Sequence, residues 1–302
     1  MNSAIHDRLQ RRVRELQNLP AMPTVITSLS ECLSVNAAEV DLARITELIS
    51  YDKSLAAQCL RVANSALFAR RSAVDSVKAA VLSLGVARVR DIVYSCALPK
   101  TMAGAQGGIE PMTFWRHALG TALVAQHLAQ NLCIPNADRF YLAGLLHDIG
   151  ILVNALLFRS EFPRVFLQAE KREAPLYEME KEILGFTHCD SGRVLADFWK
   201  LPPDISATIE SHHEPAFSEP DLEMICVVHL ADLLCRLRGL GYGYYEARQF
   251  DLSSEPAWHV LEKHYPAIDS LDLARFTLEL DEYAARVQDL VNSIFAQEKV
   301  PA

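Results

Sequence analysis

Five histidines and two aspartates of the chain fall in one order: His117, His147-Asp148, His188, His212-His213 and Asp232. Neutral imidazole and carboxylate are the donors that iron, manganese, zinc or nickel take from a protein. A carboxylate next to a histidine on a helix lies about 100° around the axis from it, so both can serve one site. Asp148 so placed can bridge two cations. Two ions ~3.5–4 Å apart are a device for activating water against a phosphodiester. One or two divalent ions are therefore expected. His117 is expected at the rim and the other six residues within one pocket. Asp232 interrupts the apolar run Ile225-Cys226-Val227-Val228-His229-Leu230-Ala231. A carboxylate buried there needs a partner. A cation serves, and so does His229, three residues earlier on the same helix; the sequence leaves both open. A lone histidine on an apolar helix is more often a hydrogen-bonded core residue, so the order carries more weight than any single member.

Helices must position these residues, because helical periodicity runs along nearly the whole chain and no alternating strand pattern appears. The fold class is all-α. His117 lies near the start of a helix over 114–132. His147 and Asp148 are expected inside one helix beginning near Asn136. Thr187-x-x-Asp190 reads as a capping box that puts His188 in a first turn. His212 and His213 close a helix that Pro215 cannot continue. Upstream, Asp41, Asp52 and Ser76 read as N-caps, and Gly85 as a helix-ending residue. The helices of the first block are short and need tertiary packing, so they are expected to pack on the block that follows. Gly104, Gly107 and Gly108 mark a linker. The organisation expected is an N-terminal helical subdomain over 1–105, the site-bearing helical subdomain over 106–245 and a C-terminal helical extension over 246–302. The stripe Phe276, Leu280, Tyr283, Val287, Leu290 and Ile294 is a docking face for the rest of the chain.

A net charge of −9 argues against bulk binding of nucleic acid. Arg61, Arg70, Arg71, Arg88 and Arg90 form a local basic run that reads as a solvated face. The seven cysteines (32, 59, 96, 133, 189, 226 and 235) are odd in number and include no C-x-x-C pair. They read as reduced, buried thiols of a reducing compartment. Met1 to Arg14 lacks the apolar core of a signal peptide. The most apolar stretch, 142–158, is broken by His147 and Asp148 and is too short and too polar to span a bilayer. A cytoplasmic location and no membrane partner are expected.

Leu145-Leu146-His147-Asp148-Ile149-Gly150 is similar to the signature of the HD phosphohydrolase superfamily. Phe114-Trp115-Arg116-His117, Leu184-Gly185-Phe186-Thr187-His188, Leu201-Pro202 and His212-His213-Glu214-Pro215 resemble HDOD domains. Leu19-Pro20-Ala21-Met22-Pro23, Ala63-Asn64-Ser65 and Leu84-Gly85 do so in the first block. The resemblance covers about 16–236. It implies an HD-like helical bundle in a bacterial signalling protein that works through a protein partner. It also implies relatedness to the HD-GYP phosphodiesterases, which hydrolyse cyclic di-GMP at a two- or three-metal centre. By that resemblance His117, His147, Asp148, His188, His212, His213 and Asp232 stand at metal-ligand positions. The chain departs from the catalytic pattern. Ile151 replaces a lysine, Thr113 a glutamate, and Glu214-Pro215-Ala216-Phe217 stands where a glycine-tyrosine-proline loop contacts the dinucleotide. Gly241-Tyr242-Gly243-Tyr244 lies elsewhere in the sequence. The pattern favours a signalling protein with an ion site. A metal-dependent phosphohydrolase of unknown substrate, with a nucleotide ligand, is the alternative.

Overall fold

The structure, a computed structural model, describes residues 19–33, 40–68, 73–105, 108–215, 222–242 and 251–295. The expectations for Met1–Arg14, Arg70, Arg71, Gly107, Ala216–Phe217 and Gly243–Tyr244 lie outside the described residues. Among the described residues all regular structure is helical and no strand occurs. The chain divides into two compact units, 1–20 with 103–284 and 21–102 with 285–302.

The unit over 21–102 contains α1 (Thr24–Leu33), α2 (Leu42–Tyr51), α3 (Lys53–Ala63), α4 (Val77–Leu84) and α5 (Val86–Thr101). Its helices are short, and capping sets their ends. The Asp41 carboxylate accepts from the backbone N–H of Ala43 and Arg44. Asp52 does the same for Ser54 and Leu55, and Ser76 for Ala79. Gly85, at φ +83°, ends α4 and opens α5, a backbone angle that suits glycine. The C-terminal end of the last helix joins this unit through Gln58 Nε2, which donates to the Ile294 carbonyl at 2.6 Å.

The larger unit begins its helices with α6 (Pro111–Asn131), α7 (Arg139–Leu146), α8 (Ile149–Leu157), α9 (Phe162–Arg172) and α10 (Leu176–Ile183). It continues with α11 (His188–Trp199), α12 (Pro203–Ser211), α13 (Leu222–Leu237), α14 (Pro256–His264) and most of α15 (Leu273–Phe295). Helix α6 packs on α7 and α13, and α11 packs on α8 and α12. Against expectation, the stretch Arg139–Leu157 is long and apolar enough for a membrane span, yet 83% of its most apolar window is buried within the protein, as in a core helix. Among the described cysteines none is paired; Cys59, Cys96, Cys226 and Cys235 are buried as expected, whereas Cys133 is exposed.

One expected helix is two. His147 and Asp148 occupy the turn between α7 and α8, not the interior of a continuous helix. Asp148 sits at φ −100°, ψ 11°, the bridge region common among functional residues. Two glycines permit the break to pack. A Cβ on Gly144 would lie 2.8 Å from Ala122 Cα and from the Thr121 carbonyl on α6. A Cβ on Gly150 would lie 1.8 Å from the His188 carbonyl and 2.6 Å from the Gly192 nitrogen. Backbone therefore meets backbone where α8 begins beside α11, and that contact brings Asp148 to His188.

Gly150→Ala should lower the unfolding free energy by about 3 kcal/mol or more, because the obstacle is rigid backbone. Gly104→Ala, whose new Cβ would meet only Leu156 Cδ2 at 3.6 Å, should cost less than about 1 kcal/mol. Urea denaturation of both variants measures this; equal costs would contradict it.

Candidate metal centre

The helix ends of the larger unit deliver the polar residues. His117 comes from the second turn of α6, and His147 and Asp148 from the α7–α8 turn. His188 is the first residue of α11, set by the expected Thr187–Asp190 capping box. His212 is the C-cap of α12, with His213 next, and Asp232 projects from α13. His117, His147, Asp148, His188, His212 and Asp232 are each at most 1% exposed.

The structure brings all seven together around Asp148, in two halves. Asp148 Oδ2 faces His147 Nε2 at 3.2 Å and His117 Nε2 at 3.7 Å. Asp232 Oδ1 closes that half, 3.0 Å from His117 Nε2 and 3.9 Å from His147 Nε2. Asp148 Oδ1 faces His188 Nε2 and His212 Nε2, each at 3.1 Å. His213 Nε2 lies 2.9 Å from His188 Nε2. Bonds of ~2.1 Å place neighbouring donors about 3.0 Å apart in an octahedron and about 3.4 Å apart in a tetrahedron. The shorter pairs of each half, 2.9–3.2 Å, match that spacing, whereas those at 3.7 and 3.9 Å in the His117 half are wider, so the residues fit a divalent ion in each half once the side chains draw in slightly.

The far ring nitrogens fix which nitrogen faces inward. His117 Nδ1 donates to the Leu240 carbonyl at 3.0 Å, His147 Nδ1 to Gly144 at 2.7 Å and His212 Nδ1 to Ile209 at 3.1 Å. A carbonyl only accepts, so Nδ1 carries the proton in these rings and Nε2 can offer its lone pair. His188 Nδ1 is held by Glu180 Oε2 at 2.6 Å. Glu180 is fully buried; it also accepts from the His188 backbone N–H at 2.8 Å and from Asn154 Nδ2 at 2.9 Å. A carboxylate behind a ligating imidazole orients the ring and raises its basicity.

Electrostatics follow the same division. Burial acts to raise the Asp148 carboxyl, but His147 and His188 outweigh it and hold the group well below the usual carboxylate range. Burial opposes ionisation of Asp232 too, and Arg236 and His117 overcome it. His188 is raised well above its ordinary value, burial notwithstanding, by Glu180, Cys189 and Asp148. His212 is raised to about 10 against burial, by Cys189 and Asp148. Burial lowers His147, and burial with the neighbouring His212 and His188 lowers His213 strongly.

One expectation needs correction, and one alternative left open is decided. His117 is fully buried at the middle of one half, not at the rim. Asp232 does not pair with His229, whose Nδ1 donates to the His212 carbonyl at 2.6 Å and so steadies the α12 end. Its partner is Arg236, four residues along α13, with Nε to Oδ1 and a terminal nitrogen to Oδ2 both at 2.7 Å. That i,i+4 spacing was a usable signal. Tyr242 was set aside as out of position, yet its hydroxyl donates to Asp148 Oδ2 at 2.7 Å and its ring packs 4.5 Å from that of His117. Glu180 gave no signal, because it stands in the charged run Glu178-Met179-Glu180-Lys181-Glu182.

The HDOD domain pattern matches residues 19–215. The chain belongs to the HDOD family. An HDOD domain protein of unknown function from Geobacter sulfurreducens shares the fold at a TM-score of 0.84 and 26% identity, covering 97% of this chain and 100% of that one. A Marinobacter aquaeolei VT8 protein, provisionally assigned to signal transduction, matches at a TM-score of 0.77 and 22% identity over 98% of this chain and 66% of that one. A Shewanella amazonensis SB2B protein, provisionally assigned as a metal-dependent phosphohydrolase, matches at 0.58 and 19% identity over 96% and 99%. An uncharacterised protein of Treponema pallidum (strain Nichols) is 26% identical over 231 residues, 73% of this chain; the match spans 43% of that protein's length.

Glu180→Gln should weaken binding of a divalent ion about 10- to 100-fold while leaving the fold intact; equilibrium dialysis checks it, and unchanged affinity would contradict the role. The chelated protein should be most stable near pH ~6.5. The raised groups His188 and His212 contribute stability below that pH and lose it as pH climbs toward their folded values. The lowered groups His147 and His213 lose stability as they are forced to charge below it. Denaturant titrations across about pH 5 to 9 should give a bell. A saturating ion, which requires neutral imidazoles, should remove the alkaline limb.

Proposed function

We propose that the chain is a regulatory module of bacterial signalling that acts through a protein partner, with its His/Asp centre holding one or two divalent ions. The observation that carries this reading is the inward direction of the groups around the centre. Ile151, standing where the HD-GYP pattern has a lysine, is fully buried. The Arg236 guanidinium and the Tyr242 hydroxyl are bonded to Asp232 and Asp148, respectively. Groups engaged with the acids do not reach out to a phosphate. An ion held in this way stabilises the folded unit and makes that stability depend on metal supply, which suits a sensor or scaffold.

The phosphohydrolase reading rests on a separate observation. The two oxygens of Asp148 face separate donor sets, as a bridging carboxylate would in a two-ion centre. A nucleotide or another phosphodiester is the substrate class that such a centre takes.

Protein purified under low oxygen should carry iron, manganese, zinc or nickel by elemental analysis. It should show absent or very slow turnover of cyclic di-GMP when Fe²⁺ or Mn²⁺ is supplied. Robust multiple turnover of cyclic di-GMP, or of another phosphodiester in a substrate panel, would overturn the regulatory reading in favour of the enzyme.

A further inference from the structure

The two halves of the centre differ in what already occupies their acceptor atoms. In the His117 half Arg236 Nε donates to Asp232 Oδ1 at 2.7 Å, a terminal nitrogen of the same guanidinium lies 2.7 Å from Oδ2 as an ion pair, and Asp148 Oδ2 accepts from Tyr242 at 2.7 Å. The guanidinium is a permanent cation. It reaches Asp232 from one turn along the same helix, so holding it there needs no rearrangement elsewhere. A divalent ion bonded to Asp232 Oδ1 would stand within about 5 Å of this charge and be repelled by it. The ion would also have to compete with Tyr242 for Asp148 Oδ2.

The other half is built differently. It offers His188 Nε2, His212 Nε2 and His213 Nε2, with Asp148 Oδ1 as the acid. Two of the three imidazoles are anchored from behind, His188 by Glu180 and His212 by the Ile209 carbonyl. The Arg236 guanidinium is paired with Asp232, in the other half. Three imidazoles and one carboxylate suit zinc, iron(II) or nickel.

Resting on the reading of this site as a metal centre, we propose that the halves load unequally. The three-histidine half takes the first ion. Arg236, as a built-in counter-cation, and Tyr242, as a cap on Asp148, keep the His117 half closed to a second. The chain thereby works as a one-ion protein at metal levels where an unguarded HD centre would hold two. A single ion lacks the paired clamp that two-metal phosphodiester chemistry uses.

The test is equilibrium dialysis of the chelator-stripped full chain against Zn²⁺ and, separately, Mn²⁺, with elemental analysis of bound metal. Wild type should saturate at one ion, with a second bound only at far higher metal concentration. Arg236→Gln should bind the second ion at least about tenfold more tightly. Because it leaves Asp232 without its partner and can destabilise the fold, Tyr242→Phe is measured alongside; it frees Asp148 Oδ2 without stranding a charge. With Mn²⁺, both variants should gain the electron-paramagnetic signature of a coupled ion pair that wild type lacks. Two ions of similar affinity in wild type, or a second site unmoved in both variants, would overturn the proposal. Failure of wild type to bind any ion, or binding unaffected by His188→Ala, would instead overturn the metal centre on which it rests.

Discussion

The structure of the larger unit is organised around one buried charge, the carboxylate of Asp148. Withdrawing an isolated carboxylate from water costs several kcal/mol unless partners restore what the solvent gave. Here the partners come from across the unit: His147 beside it, His117 on α6, His188 on α11, His212 on α12 and Tyr242 beyond α13. Each element must end or turn at the right place for its side chain to arrive. The centre is thus as much a constraint on the fold as a product of it.

That constraint explains features which otherwise look unrelated. Helices α7 and α8 are separated by a turn because the turn aims His147 and Asp148 inward together. Gly144 and Gly150 flank the turn because only a residue without a Cβ lets α7 meet α6, and α8 meet α11, at backbone contact. Glu180 is buried because it grips both the backbone and the ring of His188. Even His229, outside the centre, holds the His212 carbonyl and so fixes the end of α12.

Much of this was readable in the sequence, and the parts that were not have physical reasons. Helix caps act within four residues, so Asp41, Asp52, Ser76 and Thr187 announced their roles. The seven residues of the centre were found from the order in which they recur along the chain and from the family resemblance, with burial of a carboxylate in an apolar run adding weight for Asp232. The break at His147 was missed because periodicity continues through Leu145, Leu146, Ile149 and Leu152, and a glycine's tertiary clearance has no local signature. Glu180 and Tyr242 were missed because contacts across the fold, which bury the first and half-bury the second, give them their roles, in segments that look solvated. For Asp232 the sequence reading weighed a cation and His229 and passed over Arg236, four residues along the same helix, which the structure pairs with it.

The central claim is that Asp148 and its imidazoles form a cation site and not a closed hydrogen-bond network. Anomalous diffraction from crystals of the protein loaded with Zn²⁺ tests it most directly. An anomalous peak is expected ~2.0–2.2 Å from His188 Nε2, His212 Nε2 and Asp148 Oδ1, with the Glu180–His188 bond retained. Crystals with zinc bound only at surface residues, and the buried imidazoles still bonded directly to Asp148, would contradict it.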